Sequence, residues 1–73
     1  MRIVIQPPED GYGFDGYELK RAMDVLGAAT IQIEGGAIVG VEGTRHGVVT
    51  LRAKADTRRA LEVLKLAGMR VSD

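Results

Sequence analysis

The chain has 73 residues, no cysteine and one histidine, and its ten Lys/Arg balance ten Asp/Glu for a formal net charge of zero. That length holds one domain with a marginal core. Without cysteine there are no disulfides or thiolate metal sites, and a lone His46 argues against a zinc site of the usual kind. Added stability is then expected from a second copy or a larger partner.

The charge balance conceals an asymmetry. Residues 1–44 hold three Lys/Arg against seven Asp/Glu, and residues 45–73 hold seven against three. A neutral total argues against nucleic-acid binding by charge alone. The asymmetry still allows a basic face, or head-to-tail complementarity between copies. No apolar run reaches the length of a membrane span, and Met1-Arg2-Ile3-Val4-Ile5 reads as a strand, not a signal peptide. The expectation is a cytoplasmic protein made of one small α+β domain over residues 1–73.

In chain order, residues 2–6 form a β-branched apolar run halted by Pro7-Pro8, a first strand with a stiff exit. Residues 9–16 are a glycine-rich loop. Asp15 with Glu18 three residues on is the capping-box pattern, and Phe14 with Leu19 fits a hydrophobic staple. Leu19, Ala22, Met23 and Leu26 then recur at helical spacing, and Gly27 is the expected stop. Residues 28–34 alternate, with Ala29, Ile31 and Ile33 on one face, as in a half-buried strand. Gly35-Gly36 marks a turn or bulge. Residues 37–42 read either as a separate strand or as the previous one continued past that bulge. Residues 43–47 form a second turn that contains His46.

Residues 48–54 alternate again, with Val49, Leu51 and Ala53 inward. Asp56 or Thr57 is expected to cap a second helix, whose Ala60, Val63, Leu64 and Ala67 share one face. Gly68 ends it, and Met69-Arg70-Val71 is a short last strand. This order predicts a ferredoxin-like βαββαβ fold, an antiparallel sheet with two helices on one face, with an extra β-hairpin strand at 37–42 left open. The open sheet face is expected to carry Val4, Thr30, Gln32, Val48, Thr50, Arg52 and Lys54. No linker, low-complexity tract or repeat stands out beyond the two halves of the strand–helix–strand pattern.

Two stretches carry a family resemblance: residues 19–27 followed by Ala29-Thr30-Ile31-Gln32-Ile33, and Val48 to Lys54 followed by Asp56 through Val71. Their spacing resembles the ACT domain, a small regulatory module attached to enzymes of amino-acid metabolism. The resemblance implies a ligand, often an amino acid, held where the loop after the first strand meets a neighbouring copy. The matching loop here is Glu9 to Gly16. Where the family carries Asp/Asn-x-Pro-Gly, this chain has Pro7-Pro8-Glu9-Asp10-Gly11 and a longer loop.

Three aromatic residues, Tyr12, Phe14 and Tyr17, are interleaved with Gly11, Gly13 and Gly16. Aromatic residues are enriched in binding hot spots. Gly11, Tyr12, Gly13, Phe14, Asp15 and Tyr17 are therefore the candidate ligand or partner residues, although the staple sends Phe14 inward and Asp15 already serves as a cap. The same loop spells Gly-x-Gly-x-x-Gly, with Glu34 near the place of a ribose-binding acid. Against a dinucleotide site stand the residues between strand and first glycine, the repulsion of Glu9, Asp10 and Asp15 for a pyrophosphate, and a chain too short for the two-halved fold. Those carboxylates are also too few for a calcium loop.

His46 has no serine or cysteine near it in sequence and reads as a solvated turn residue. Arg45, Arg52, Lys54, Arg58 and Arg59 are the candidates for an alternative reading as a nucleic-acid-binding module, although RNA-binding sheets stack bases on aromatics and this one carries none. The expected protein is a non-catalytic regulatory or protein-interaction module. It acts as a homodimer or by docking on a larger protein, phage-encoded regulators included, with an amino acid as a possible ligand. No catalytic residue, cofactor, metal or membrane partner is expected, and nucleic acid is the lesser candidate.

Overall fold

A computed structural model of the chain describes residues 1–8, 13–41 and 44–73. β1 (Arg2–Ile5) leads to α1 (Gly16–Ala28). After it come β2 (Ile33–Val39), β3 (His46–Leu51), a 3-10 turn (Lys54–Asp56), α2 (Thr57–Leu66) and β4 (Val71–Ser72). The strands form one antiparallel sheet in the order β2-β3-β1-β4. The protein is α+β, and its strand order and helix count are compatible with a ferredoxin-like arrangement. No helix among the described residues is long and apolar enough to cross a membrane.

Alternation along the strands sorts the sheet into two faces. Ile3 and Ile5 of β1 and Val49 and Leu51 of β3 turn inward. They share one buried cluster with Ala22 and Leu26 of α1, Ala60 and Leu64 of α2, and Phe14, Ile31 and Met69. Both helices therefore cover the same face. Each buried Ile, Leu or Val side chain among them gains about 1.5–3 kcal/mol on burial. Val4, Val48 and Thr50 turn outward as the alternation requires, with Val4 beside Val48.

Several expected boundaries move. Gly27 does not stop α1, which runs on to Ala28. The stop is a Schellman motif: Thr30 N–H donates to Gly27 O (2.9 Å) and Ile31 N–H to Leu26 O (3.0 Å). Thr30 takes the left-handed position at φ 58°, so Ala29 and Ile31 belong to the helix exit and not to a strand. Thr30 and Gln32 precede β2 and do not lie on the open sheet face. Residues 37–39 form no separate strand. A register shift between Ile33 and Gly35 absorbs one residue as a bulge, and β2 continues through it to Val39. Glu42, the last residue of that expected strand, lies outside the described residues.

β3 starts at His46, so the histidine is a half-buried strand residue and not part of a turn. Neither Asp56 nor Thr57 caps α2 through its side chain. The 3-10 turn holds Asp56 in a helical conformation, and Thr57 Oγ1 donates instead to Lys54 O at 2.7 Å. Lys54, expected on the open sheet face, belongs to that turn.

With the helix ends placed, an internal repeat becomes visible. Residues 20–33 align with residues 58–71 at an offset of 38 (58 against 20), pairing Arg21 with Arg59, Ala22 with Ala60, Val25 with Val63, Leu26 with Leu64 and Ala29 with Ala67. α2 ends in the same motif as α1, with Gly68 N–H to Lys65 O (3.0 Å) and Met69 N–H to Leu64 O (3.0 Å). Gly68, at φ 89°, stands where the first half has Thr30. The paired arginines act reciprocally. Arg21 Nη2 donates to Ala67 O (2.7 Å) at the end of α2, and Arg59 Nη2 donates to Ala29 O at the end of α1. Each guanidinium thus satisfies an orphan carbonyl and places positive charge at the negative end of the other helix dipole.

Thr30 is the strained member of the pair, because a β-branched residue pays for the left-handed conformation and glycine does not. Thr30→Gly is expected to raise stability by about 1 kcal/mol, and Gly68→Thr to lower it by about 1–2 kcal/mol, in urea unfolding. A loss with Thr30→Gly would mean that the hydroxyl's bonds to Ala29 O and Arg59 outweigh the strain.

Candidate functional site

The first half departs from its repeat in the connection between β1 and α1. β1 gives way to Pro7 and Pro8, which lack the N–H a ladder needs. Gln6 N–H still reaches across to Arg70 O (2.8 Å), and Arg70 Nη2 donates back to the Pro7 carbonyl. At the far side of the loop, Gly13 is buried at φ 74° and Phe14 is 2% exposed. The Phe14 ring occupies the space above Gly47 of β3, so a Cβ at Gly47 would overlap its Cε1 and Cζ. Asp15 then takes an extended conformation, and its Oδ1 accepts the Glu18 N–H at 2.9 Å. This is the cap expected from the sequence.

These anchors leave a cleft of about 300 Å³ between the β1 exit, the first turns of α1 and the α2–β4 turn. Its apolar side is Ile5, Phe14 and Met69. Its polar side is Glu18, Arg21 and Arg70, one carboxylate and two guanidiniums. Between described residues the one ion pair is Lys20–Asp24 (2.9 Å), so Glu18 and Arg21 do not neutralise each other. Arg21 offers five N–H donors, of which the Ala67 carbonyl takes one. The arrangement suits a compact ligand carrying both charges.

The sequence candidates fall around this cleft unevenly. Gly11 and Tyr12 lie outside the described residues. Gly13 and Phe14 are interior, and Asp15 is engaged as the cap. Tyr17 is 77% exposed, beside Lys20, Arg21 and Asp24 in a shallow depression. The Asp24 hydrogen bond and charge raise the Lys20 pKa above its ordinary value. Glu18 enters the sequence reading only through the capping box, and Arg21 and Arg70 carry no motif there. The signal for one of them was present, since Arg21 recurs as Arg59.

The basic candidates do not gather on one face. Arg45 and Arg52 flank β3 at opposite ends, roughly 20 Å apart for six strand residues. Lys54, Arg58 and Arg59 cluster at the start of α2, where Arg59 is engaged with the end of α1. His46 pairs with Val39 and alternates with buried Gly47, which puts it on the open sheet face, away from the cleft. Among the described residues, no three His, Cys, Asp or Glu side chains are grouped to hold a metal. No family model, curated protein or solved structure matches the chain.

The Phe14–Gly47 contact that closes one side of the cleft is directly testable. Gly47→Ala is expected to cost about 1–3 kcal/mol by overpacking, and Phe14→Ala about 3–5 kcal/mol. In the double variant the Gly47→Ala penalty should largely vanish, because the ring it strikes is gone. Equal penalties with and without the ring, in denaturant titrations, would show that the two residues do not touch.

Proposed function

We propose that this chain is a non-catalytic regulatory module of ferredoxin-like form, resembling the ACT domain, that takes an amino acid or similar small zwitterion in the cleft beside Phe14. The carrying observation is the pair of charges there, Arg21 for a carboxylate and Glu18 for an ammonium, above an apolar patch of Ile5, Phe14 and Met69. A planar guanidinium favours a carboxylate because it can donate two parallel hydrogen bonds. A volume of about 300 Å³ lies at the small end of ligand pockets. Among the described residues the cleft holds no serine, cysteine or histidine, and His46 lies on the other face of the sheet, which supports binding over turnover.

Occupancy would be transmitted through a second copy or a larger protein. The cleft lies where three elements meet, the β1 exit, α1 and the α2–β4 turn, which the Gln6–Arg70 and Arg21–Ala67 hydrogen bonds already join. A ligand held by Glu18 and Arg21 against Gly68 and Met69 would tie α1 to the α2–β4 turn. Tyr17, exposed one turn away, would present the change to a partner.

The test is a thermal-shift series with the standard amino acids supplied singly at about 10 mM. Saturation to about one hundred times Kd adds roughly 2.7 kcal/mol, about 10–20 °C of Tm for a domain of this size. At least one amino acid is expected to give such a shift, and Glu18→Gln to weaken its binding at least tenfold. No shift with any of them, or a shift untouched by Glu18→Gln, would contradict the proposal.

A further inference from the structure

β2 is an edge strand, with β3 on one side and no strand on the other among the described residues. The direction of its peptide groups follows from β3. Leu51 N–H donates to Met1 O (2.7 Å), so the odd residues of β3 turn their peptide groups toward β1. Arg52 N–H donates to Gln32 O (3.2 Å), so the even residues turn theirs toward β2. Val48 and His46 are therefore the residues that hydrogen-bond with Ala37 and Val39. Gly36 and Ile38 lie opposite the odd residues Val49 and Gly47, so their N–H and C=O groups point away from the sheet.

Edges are commonly blunted by lysine, proline or an inward charge. From Gly35 to Val41 this strand and its exit carry none of these, and the bulge lies before that run, between Ile33 and Gly35. Ala37 and Val39 are exposed, and half-buried Leu19 and Met23 of α1 lie over Gly36. The charges stand at the two ends instead. Glu34 is at the start of β2. Arg45 stands beside Gly40, just past its end, with its Cα 3.3 Å from the position of a Cβ at Gly40. Both charged residues are exposed, and neither has an ion-pair partner among the described residues. Within one chain the run from Glu34 to Gly40 keeps them roughly 20 Å apart.

We propose that β2 pairs antiparallel with β2 of a second copy, across a two-fold axis at Ala37, and joins the two sheets into one. Gly36 of each chain then faces Ile38 of the other, and their outward N–H and C=O groups satisfy one another. The same register sets Glu34 level with Gly40 of the partner subunit. The partner's Arg45 is then two strand spacings away, about 10 Å between Cα atoms, within reach of the two side chains. The axis makes this ion pair twice. A strand that pairs with itself must avoid facing its own charges, and this one is neutral in the middle and opposite in sign at its two ends. The contact specifies the second copy through which ligand occupancy would be transmitted. It shares no residue with the cleft beside Phe14 and is measured without ligand, so its failure leaves the ligand reading untouched.

The test is light scattering on the ligand-free chain, with amide exchange at low and high concentration. The mass is expected to rise from one chain toward two between about 10 µM and 1 mM, the range of a small interface. Exchange at Gly36 and Ile38 is expected to slow about threefold or more at the higher concentration, and the dimer to weaken as salt rises. Glu34→Arg and Arg45→Glu should each weaken it about tenfold, and the two together should restore it. The two side chains are too far apart to meet within a chain, so that rescue acts only between copies. Ala37→Lys sets two ammonium groups against each other across the axis and should leave a folded monomer. A dimer that survives Ala37→Lys, a double variant no better than either single one, or unchanged exchange at Gly36 and Ile38 would each overturn the proposal. One chain at every concentration would overturn it too, and would assign the bulge and glycines to keeping this edge unpaired.

Discussion

The ring of Phe14 lying where Gly47 has no side chain is the contact on which the functional end of this molecule depends. It joins the loop after β1 to the sheet and seals the core at that end. It also delivers Asp15 to the position from which it caps α1. The cap sets the rotation of α1, and that rotation places Glu18 and Arg21 on the cleft side while Ala22 and Leu26 stay buried. Without the ring, the loop would have no apolar anchor among the described residues between Pro8 and α1, and the cleft would lose one wall.

The rest of the frame is held by symmetry between the two halves. Two helices of related sequence end in the same motif, and each lends an arginine to the last carbonyls of the other. Such crossed links join α1 to α2 at both ends, beyond what a small shared core provides. Where the halves agree, the residues serve packing: Ala22 and Ala60, Leu26 and Leu64, Ala29 and Ala67. Where they differ, surface opens. The long β1–α1 connection makes the cleft. A frame built twice is thus elaborated in the β1–α1 connection, and the proposed ligand cleft rests on that difference.

What could be read from the sequence was what is decided within a few residues. Asp15 as a cap, the inward turn of Phe14, the apolar faces of both helices and the alternation of β1 and β3 all follow from local rules. The α1 stop was misplaced because Gly27 looks like the usual end. The true left-handed residue is Thr30, a type that seldom takes that conformation. That error moved the next strand and concealed the repeat, since the two helices no longer seemed to end alike. The bulge after Ile33 left two readings of residues 37–42 open, since one absorbed residue shifts every later side chain to the other face, and the structure takes the one in which β2 continues past it. The cleft was beyond local reading. Glu18 and Arg21 meet Gly68 and Arg70 only because the helices pack antiparallel across the sheet. Aromatic and glycine content point to the loop after β1, whereas the charged groups that line the cleft are Glu18, Arg21 and Arg70.

The central claim is that ligand binding sits where the halves differ and not on the frame they share. A residue-resolved NMR titration with a mixture of the standard amino acids tests it most directly. The account predicts shifts confined to Gln6, Glu18, Arg21, Gly68 and Arg70, with the counterparts Asp56, Arg59, Thr30 and Gln32 unmoved. Shifts at both sets alike, at the counterparts alone, or nowhere would contradict it.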